Sequence, residues 1–157
     1  MSRLPQRTRR IIAVVELFLT LALIVFFFFP KDLEGALGLG FRREDLERID
    51  VHLSTVSVEV DEERDLTLLP GDPAFEAVMD LLESRRYMPV YLEDRGTTPI
   101  EKLTHLTLVS EKGERHLPLL GGVLMDITGT DVRDKTFRVR DGAAMQEDLM
   151  TLLLAQD

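Results

Sequence analysis

The chain of 157 residues holds three histidines, His52, His105 and His116, and no cysteine. Imidazole is the commonest metal ligand and the usual base of nucleophilic triads, so much of the chemistry open to this protein depends on whether these three meet. LTHLTLVS and RHLPLL flank EKGE and read as a hairpin. With Lys112 and Gly113 as a two-residue turn, His116 falls opposite Val109, four residues along the strand from His105. At about 3.3 Å per residue the two are roughly 13 Å apart, too far to share a metal, and a slip of one or two residues leaves the gap open. No histidine metal site, no His-based triad and no cofactor are expected.

The acids offer little more. Glu59, Asp61, Glu62, Glu63 and Asp65 form the densest run, but the spacing lacks the glycine and final glutamate of a calcium loop. DEER is expected to be a solvated turn that leads into a strand, DLTLL. Asp126, Thr128, Asp131 and Asp134 bracket Gly129 and read as a second structural turn. Arg85 and Arg86, followed by Tyr87, read as the charge complement of a helix C-terminus, and Arg95 as part of a surface loop. Nucleophile elbow, phosphate-binding glycine loop and zinc-protease helix are all missing from the sequence. The expectation is a non-enzymatic protein.

One acid stands apart. Glu16 lies within IIAVVELFLTLALIVFFFFP, residues 11–30, where only Glu16, Thr20 and Pro30 are not apolar. Twenty residues at roughly 1.5 Å each span about 30 Å, the thickness of a bilayer's hydrocarbon core. Arg3, Arg7, Arg9 and Arg10 precede the run without an acid, which holds the N-terminus in the cytoplasm. A cleaved signal is the competing reading, but Pro30, Lys31, Asp32 and Glu34 follow where small residues would be needed. A permanent single-pass anchor is expected. Ala13, Glu16 and Thr20 share one face of that helix and form a candidate contact for another membrane helix, where a hydrogen bond would satisfy the acid.

The near-zero mean hydropathy of +0.01 therefore averages two opposed segments. Removing the +4 of residues 1–10 and the single negative charge of Glu16 from the total of -9 leaves -12 on residues 31–157. So acidic a domain disfavours nucleic acid and anionic lipid as ligands. With no cysteine to staple it, the domain must be held by its own core.

Residues 31–48 read as a juxtamembrane connector, with Leu33, Leu37, Leu39 and Phe41 available for docking. In 49–157, IDVHLSTVSVEV alternates as a strand whose parity changes, which predicts a bulge near Ser54 and Thr55. Asp72-Pro73 opens a helix over about 73–86 with Phe75, Val78, Met79 and Leu82 on one face. A short strand at 88–92 follows, then the hairpin, where Pro118 argues for an edge strand. VLMDIT and KTFRVR add two strands, and Asp141 caps a last helix with Met145, Leu149, Leu152 and Leu153 in a stripe. The implied fold class is α+β: an antiparallel sheet with two amphipathic helices on one face, preceded by an N-terminal transmembrane helix.

In layout, and through the segments DLTLLPGDPAFEAVMDLLESRRY and TFRVRDGAAMQEDLMTLL, the chain resembles small uncharacterised single-span membrane-anchored proteins of Gram-positive bacteria. The resemblance implies an extracytoplasmic domain and supplies no catalytic residues. The expected function is a membrane-anchored extracytoplasmic module that binds or senses a partner. The alternative is an accessory subunit of a membrane complex, acting through the Ala13, Glu16 and Thr20 face.

Overall fold

Helix α1, Gln6–Phe28, is a run of 23 residues ended by a proline. The residue before a proline is driven out of helical geometry, and Phe29 is extended at φ -73° and ψ 139°. In the computed structural model, which describes residues 5–38, 40–56, 61–90, 102–120, 123–129 and 132–155, the apolar side chains of α1 are uncovered. Ile11, Phe18 and Phe26 are 64%, 69% and 70% exposed. The helix stands where a transmembrane segment is expected, starting earlier and stopping just short of 30. Among the described residues no helix is long and apolar enough to cross a membrane.

Two residues past Phe29 the chain is clamped. Lys31 N–H donates to the Tyr87 carbonyl at 2.8 Å and Tyr87 N–H donates back to Lys31 at 2.9 Å. Helix α2, Leu33–Leu37, follows, its first turn held by Gly35 N–H donating to the Asp32 carboxylate at 2.8 Å. Leu33, Ala36, Leu37, Phe41 and Leu46 are buried in the same core as the sheet. The stretch read as a connector thus docks on the domain and contributes to its core.

Seven antiparallel strands form one sheet: β1 Leu46–Val56, β2 Asp61–Leu68, β3 Tyr87–Val90, β4 Lys102–Ser110, β5 Gly113–Leu120, β6 Leu124–Gly129 and β7 Val132–Val139. Their spatial order is β2-β1-β4-β5-β6-β7-β3. Helices α3, Pro73–Glu83, and α4, Gly142–Leu154, complete the α+β domain. Side chains alternate across a sheet. Val51, Leu53, Leu106, Leu108, Leu117, Leu119, Met125, Ile127, Phe137 and Val139 point into one core with Phe75, Val78, Met79 and Leu82 of α3 and Met145, Leu149 and Leu153 of α4. Both helices cover that face, and the opposite face is open.

Several local expectations need correction. The irregularity in β1 falls between Leu46 and Arg48, and pairing with β4 is regular from Arg48 to Thr55. Val56 pairs with Asp61 in regular register, so no bulge falls at Ser54 and Thr55, and 57–60 lie outside the described residues. DEER is the start of β2 and not a turn, because β1 is long enough to pair with it; charged residues suit an edge strand. The strand expected at 88–92 is Tyr87–Val90, with 91 and 92 outside the described residues. Asp72 precedes Pro73 as expected, but its carboxylate accepts from Leu69 N–H at 3.0 Å and not from α3. Asp141 makes no side-chain cap either; it sits in the left-handed region at φ 54°.

Strand β5 lies inside the sheet, contrary to the edge position inferred from Pro118. It pairs with β6 at His116, Leu119 and Leu120 and skips Pro118. The missing donor is accommodated by that gap in the ladder.

Two side chains tie the periphery down. Arg43, from the short 3-10 turn Arg43–Asp45, reaches three carboxylates on one face of α3: Glu76 at 2.8 Å, Glu83 at 2.7 Å, and Asp80. Hydrogen bonds to Asp80 and Glu83 push its pKa upward. Arg115 is 5% exposed, its guanidinium 4.1 Å from the Phe41 ring centre and donating to the Leu37 carbonyl at 3.3 Å.

Candidate functional site on the open sheet face

The hairpin between β4 and β5 turns at Glu111 and Lys112, with Ser110 paired to Gly113. That pairing places Gly113, at φ 120°, just after the turn and not inside it. Moving the turn by one residue moves the register by two. His116 therefore sits opposite Thr107, and Val109 opposite Glu114. A shift of two preserves which face each residue occupies, so Leu106, Leu108, Leu117 and Leu119 still share the core as expected. The distance between histidines does change. The His105 and His116 rings lie 5.6 Å apart, centre to centre, at an interplanar angle of 62°. The expected separation of roughly 13 Å, and the claim that no small slip could close it, are both overturned.

His52 joins them, because β1 pairs with β4 so that His52 falls directly opposite His105. All three imidazoles of the chain thus line up across β1, β4 and β5 on the open face. Each of the outer two has a ring nitrogen engaged. His52 Nδ1 donates to the Asp65 carboxylate of β2 at 2.7 Å. His116 Nδ1 is 3.1 Å from the Thr107 hydroxyl, and its Nε2 is 3.8 Å from Glu114. Nε2 of the middle histidine, His105, is covered and has no hydrogen-bond partner. Burial first, then His116 and His52, push the His105 pKa below the ordinary histidine value, which favours the neutral ring. A cleft of about 190 Å³ opens beside it, lined by Asp50, His52, Asp65, Thr67, His105 and Thr107.

The rest of the open face is polar and internally bonded. Thr67 donates to Asp50 at 2.9 Å and Thr136 donates to Asp126 at 2.6 Å. Asp126 and Thr128 accordingly belong to β6 and not to a turn, and Asp131 lies outside the described residues. Of the densest acid run, Glu63 and Asp65 are exposed on edge strand β2. Among the described residues no group of three or more His, Cys, Asp or Glu is drawn together closely enough to hold a metal ion. The His105–His116 pair is a two-membered approach.

Ala13, Glu16 and Thr20 lie exposed on α1 at positions that share a helix face. The Thr20 hydroxyl donates to the Glu16 carbonyl at 2.8 Å, so its proton is used within the helix. Arg85 ties α3 to α4 through Asp148 at 3.2 Å, and Arg95 lies outside the described residues. Comparison with known proteins yields no match: no family model, no curated protein and no solved structure is similar to this chain.

Proposed function

We propose that this protein is a single-span, membrane-anchored module without catalytic activity, which binds or senses a partner through the open face of its extracytoplasmic sheet. The observation that carries this reading is the contrast between α1 and everything after it. The core-facing apolar side chains of the sheet and of α3 are buried, whereas the described apolar side chains of α1, from Ile11 to Phe28, are uncovered. An apolar surface of that extent is not stable in water and marks a membrane or protein contact. Within the α1 sequence, residues 11–28 carry only Glu16 as a charge. Those residues measure about 27 Å at roughly 1.5 Å each, close to the thickness of a bilayer's hydrocarbon core. The arginines before Ile11 orient the N-terminus to the cytoplasm.

The clamp between Lys31 and Tyr87 leaves only Phe29 and Pro30 between the helix and the sheet. The domain is thereby held close to the bilayer surface, with its histidine face as the part not covered by helices. Alkaline carbonate extraction tests the reading. The full chain stays with the membrane pellet, and a Leu19→Arg, Leu23→Arg variant, each arginine costing about 2.5 to 3.5 kcal/mol on insertion, moves to the supernatant. Release of the unaltered chain by carbonate contradicts it.

A further inference from the structure

We propose that His105 and His116 form a two-histidine site for a transition-metal ion of the Zn2+, Ni2+ or Cu2+ class on the open face of the sheet. The site goes beyond the proposed function and stands whichever compartment the sheet faces. Its first support is distance. With metal–nitrogen bonds of about 2.0 to 2.1 Å, two imidazoles on one tetrahedral ion have ring centres about 5 Å apart. The observed 5.6 Å lies within a small side-chain adjustment of that value.

The second support is the state of the nitrogens. A covered polar atom without a partner is costly, and His105 Nε2 is such an atom. An ion at this nitrogen removes that cost. When His116 Nδ1–H donates to Thr107, the lone pair is left on Nε2, the arrangement by which hydroxyls and carboxylates orient histidine ligands. His52, held by Asp65 in the same manner, flanks the pair. Thr107 fixes one ligand while the backbone ladder fixes the strand spacing. Binding requires the His105 ring to turn its covered Nε2 toward the cleft beside it, where water completes the coordination.

The third support concerns which ion. Imidazole nitrogen favours Zn2+, Ni2+ and Cu2+, whereas Ca2+ and Mg2+ require oxygen-rich shells. The acids of β2 are spread along an exposed edge strand, and Glu114, 3.8 Å from His116 Nε2, is a single carboxylate beside the pair and does not make an oxygen-rich shell.

Titration calorimetry of the full chain in detergent with Zn2+ and with Ni2+ at neutral pH is the test. One saturable site is expected, and His105→Gln and His116→Gln each weaken it by about tenfold or more. Substoichiometric Ni2+ broadens the imidazole resonances of His105 and His116 in the unaltered protein, a readout that does not depend on how the variants fold. Millimolar Ca2+ leaves binding unchanged. Absence of saturable binding, full affinity in both variants, or displacement by Ca2+ overturns the assignment.

Discussion

The imidazoles of His105 and His116 approach to 5.6 Å because the β4–β5 hairpin turns at Glu111–Lys112, which pairs Thr107 with His116. His105 is also paired across the other side of its strand with His52. The middle histidine is thus enclosed by two others, and its Nε2 is left without a partner. That enclosure governs both how the face responds to acid and what it can bind.

Acidification should destabilise the fold through His105. Its folded pKa is lowered by burial and by His116 and His52, while in the unfolded chain a histidine titrates near about 6.5. Between these two values the unfolded state binds more protons. Stability from this group is therefore complete above the unfolded pKa and falls as pH drops toward the folded one. The groups facing it across neighbouring strands are His52, with Asp65 behind it, and His116, with Glu114 nearby. His105→Gln should lose less melting temperature than the native chain between about pH 7 and about pH 5. Equal losses would remove His105 from the account.

Removing Arg43 should loosen the 3-10 turn from α3. Arg43→Met leaves Glu76, Asp80 and Glu83 on one helix face without their shared cation. The side chain is 29% exposed, so solvent screening limits the loss to about 1 kcal/mol. A lowered urea midpoint with an unchanged slope is expected, and added salt should narrow the difference from the native chain. No change in midpoint would show that the cluster contributes nothing to stability.

Gly129→Ala should be costly for a turn-flanking glycine. A Cβ there would lie 2.6 Å from the Glu114 carbonyl oxygen and 2.7 Å from Arg115 Nη1. Arg115 cannot yield easily, because it is buried against Phe41 and bonded to Leu37. A loss of about 1 to 3 kcal/mol is expected from such overpacking. Native-like thermal unfolding of the variant would mean that Arg115 has another place to go.

Much of this fold was legible because apolar periodicity is a strong signal. The α3 set Phe75, Val78, Met79 and Leu82 and the strand alternations around Leu106 and Leu117 read directly onto the core. The candidate site was not legible. A one-residue difference in turn placement keeps Leu117 inside and so leaves the apolar pattern unchanged, yet it moves His116 by two positions along β4. The available signal was the preference for glycine at the last position of a type I turn, which places Gly113 after the turn. His52 opposite His105 was beyond local reasoning, because that pairing joins strands far apart in sequence. Pro118 misled for a related reason: a proline excludes a donor at one position, and a single gap in the β5–β6 ladder satisfies it.

Exchange of α1 for an unrelated hydrophobic helix separates the two functional readings. Partner crosslinking to the sheet domain should survive the exchange. Its loss, together with reduced partner recovery in Glu16→Leu, would transfer the function to the Ala13, Glu16 and Thr20 face of α1, which is exposed along the helix.

The placement of the domain across a membrane from its N-terminus is tested most directly by single-cysteine labelling in intact cells. The chain has no cysteine of its own. Ser84, exposed at the end of α3, is a suitable reporter, whereas Ser110 is only 6% exposed and is not. A thiol in Ser84→Cys should react with an impermeant maleimide, and one in Gln6→Cys should react only after the membrane is permeabilised. Labelling of Gln6→Cys in intact cells with Ser84→Cys protected would contradict the account.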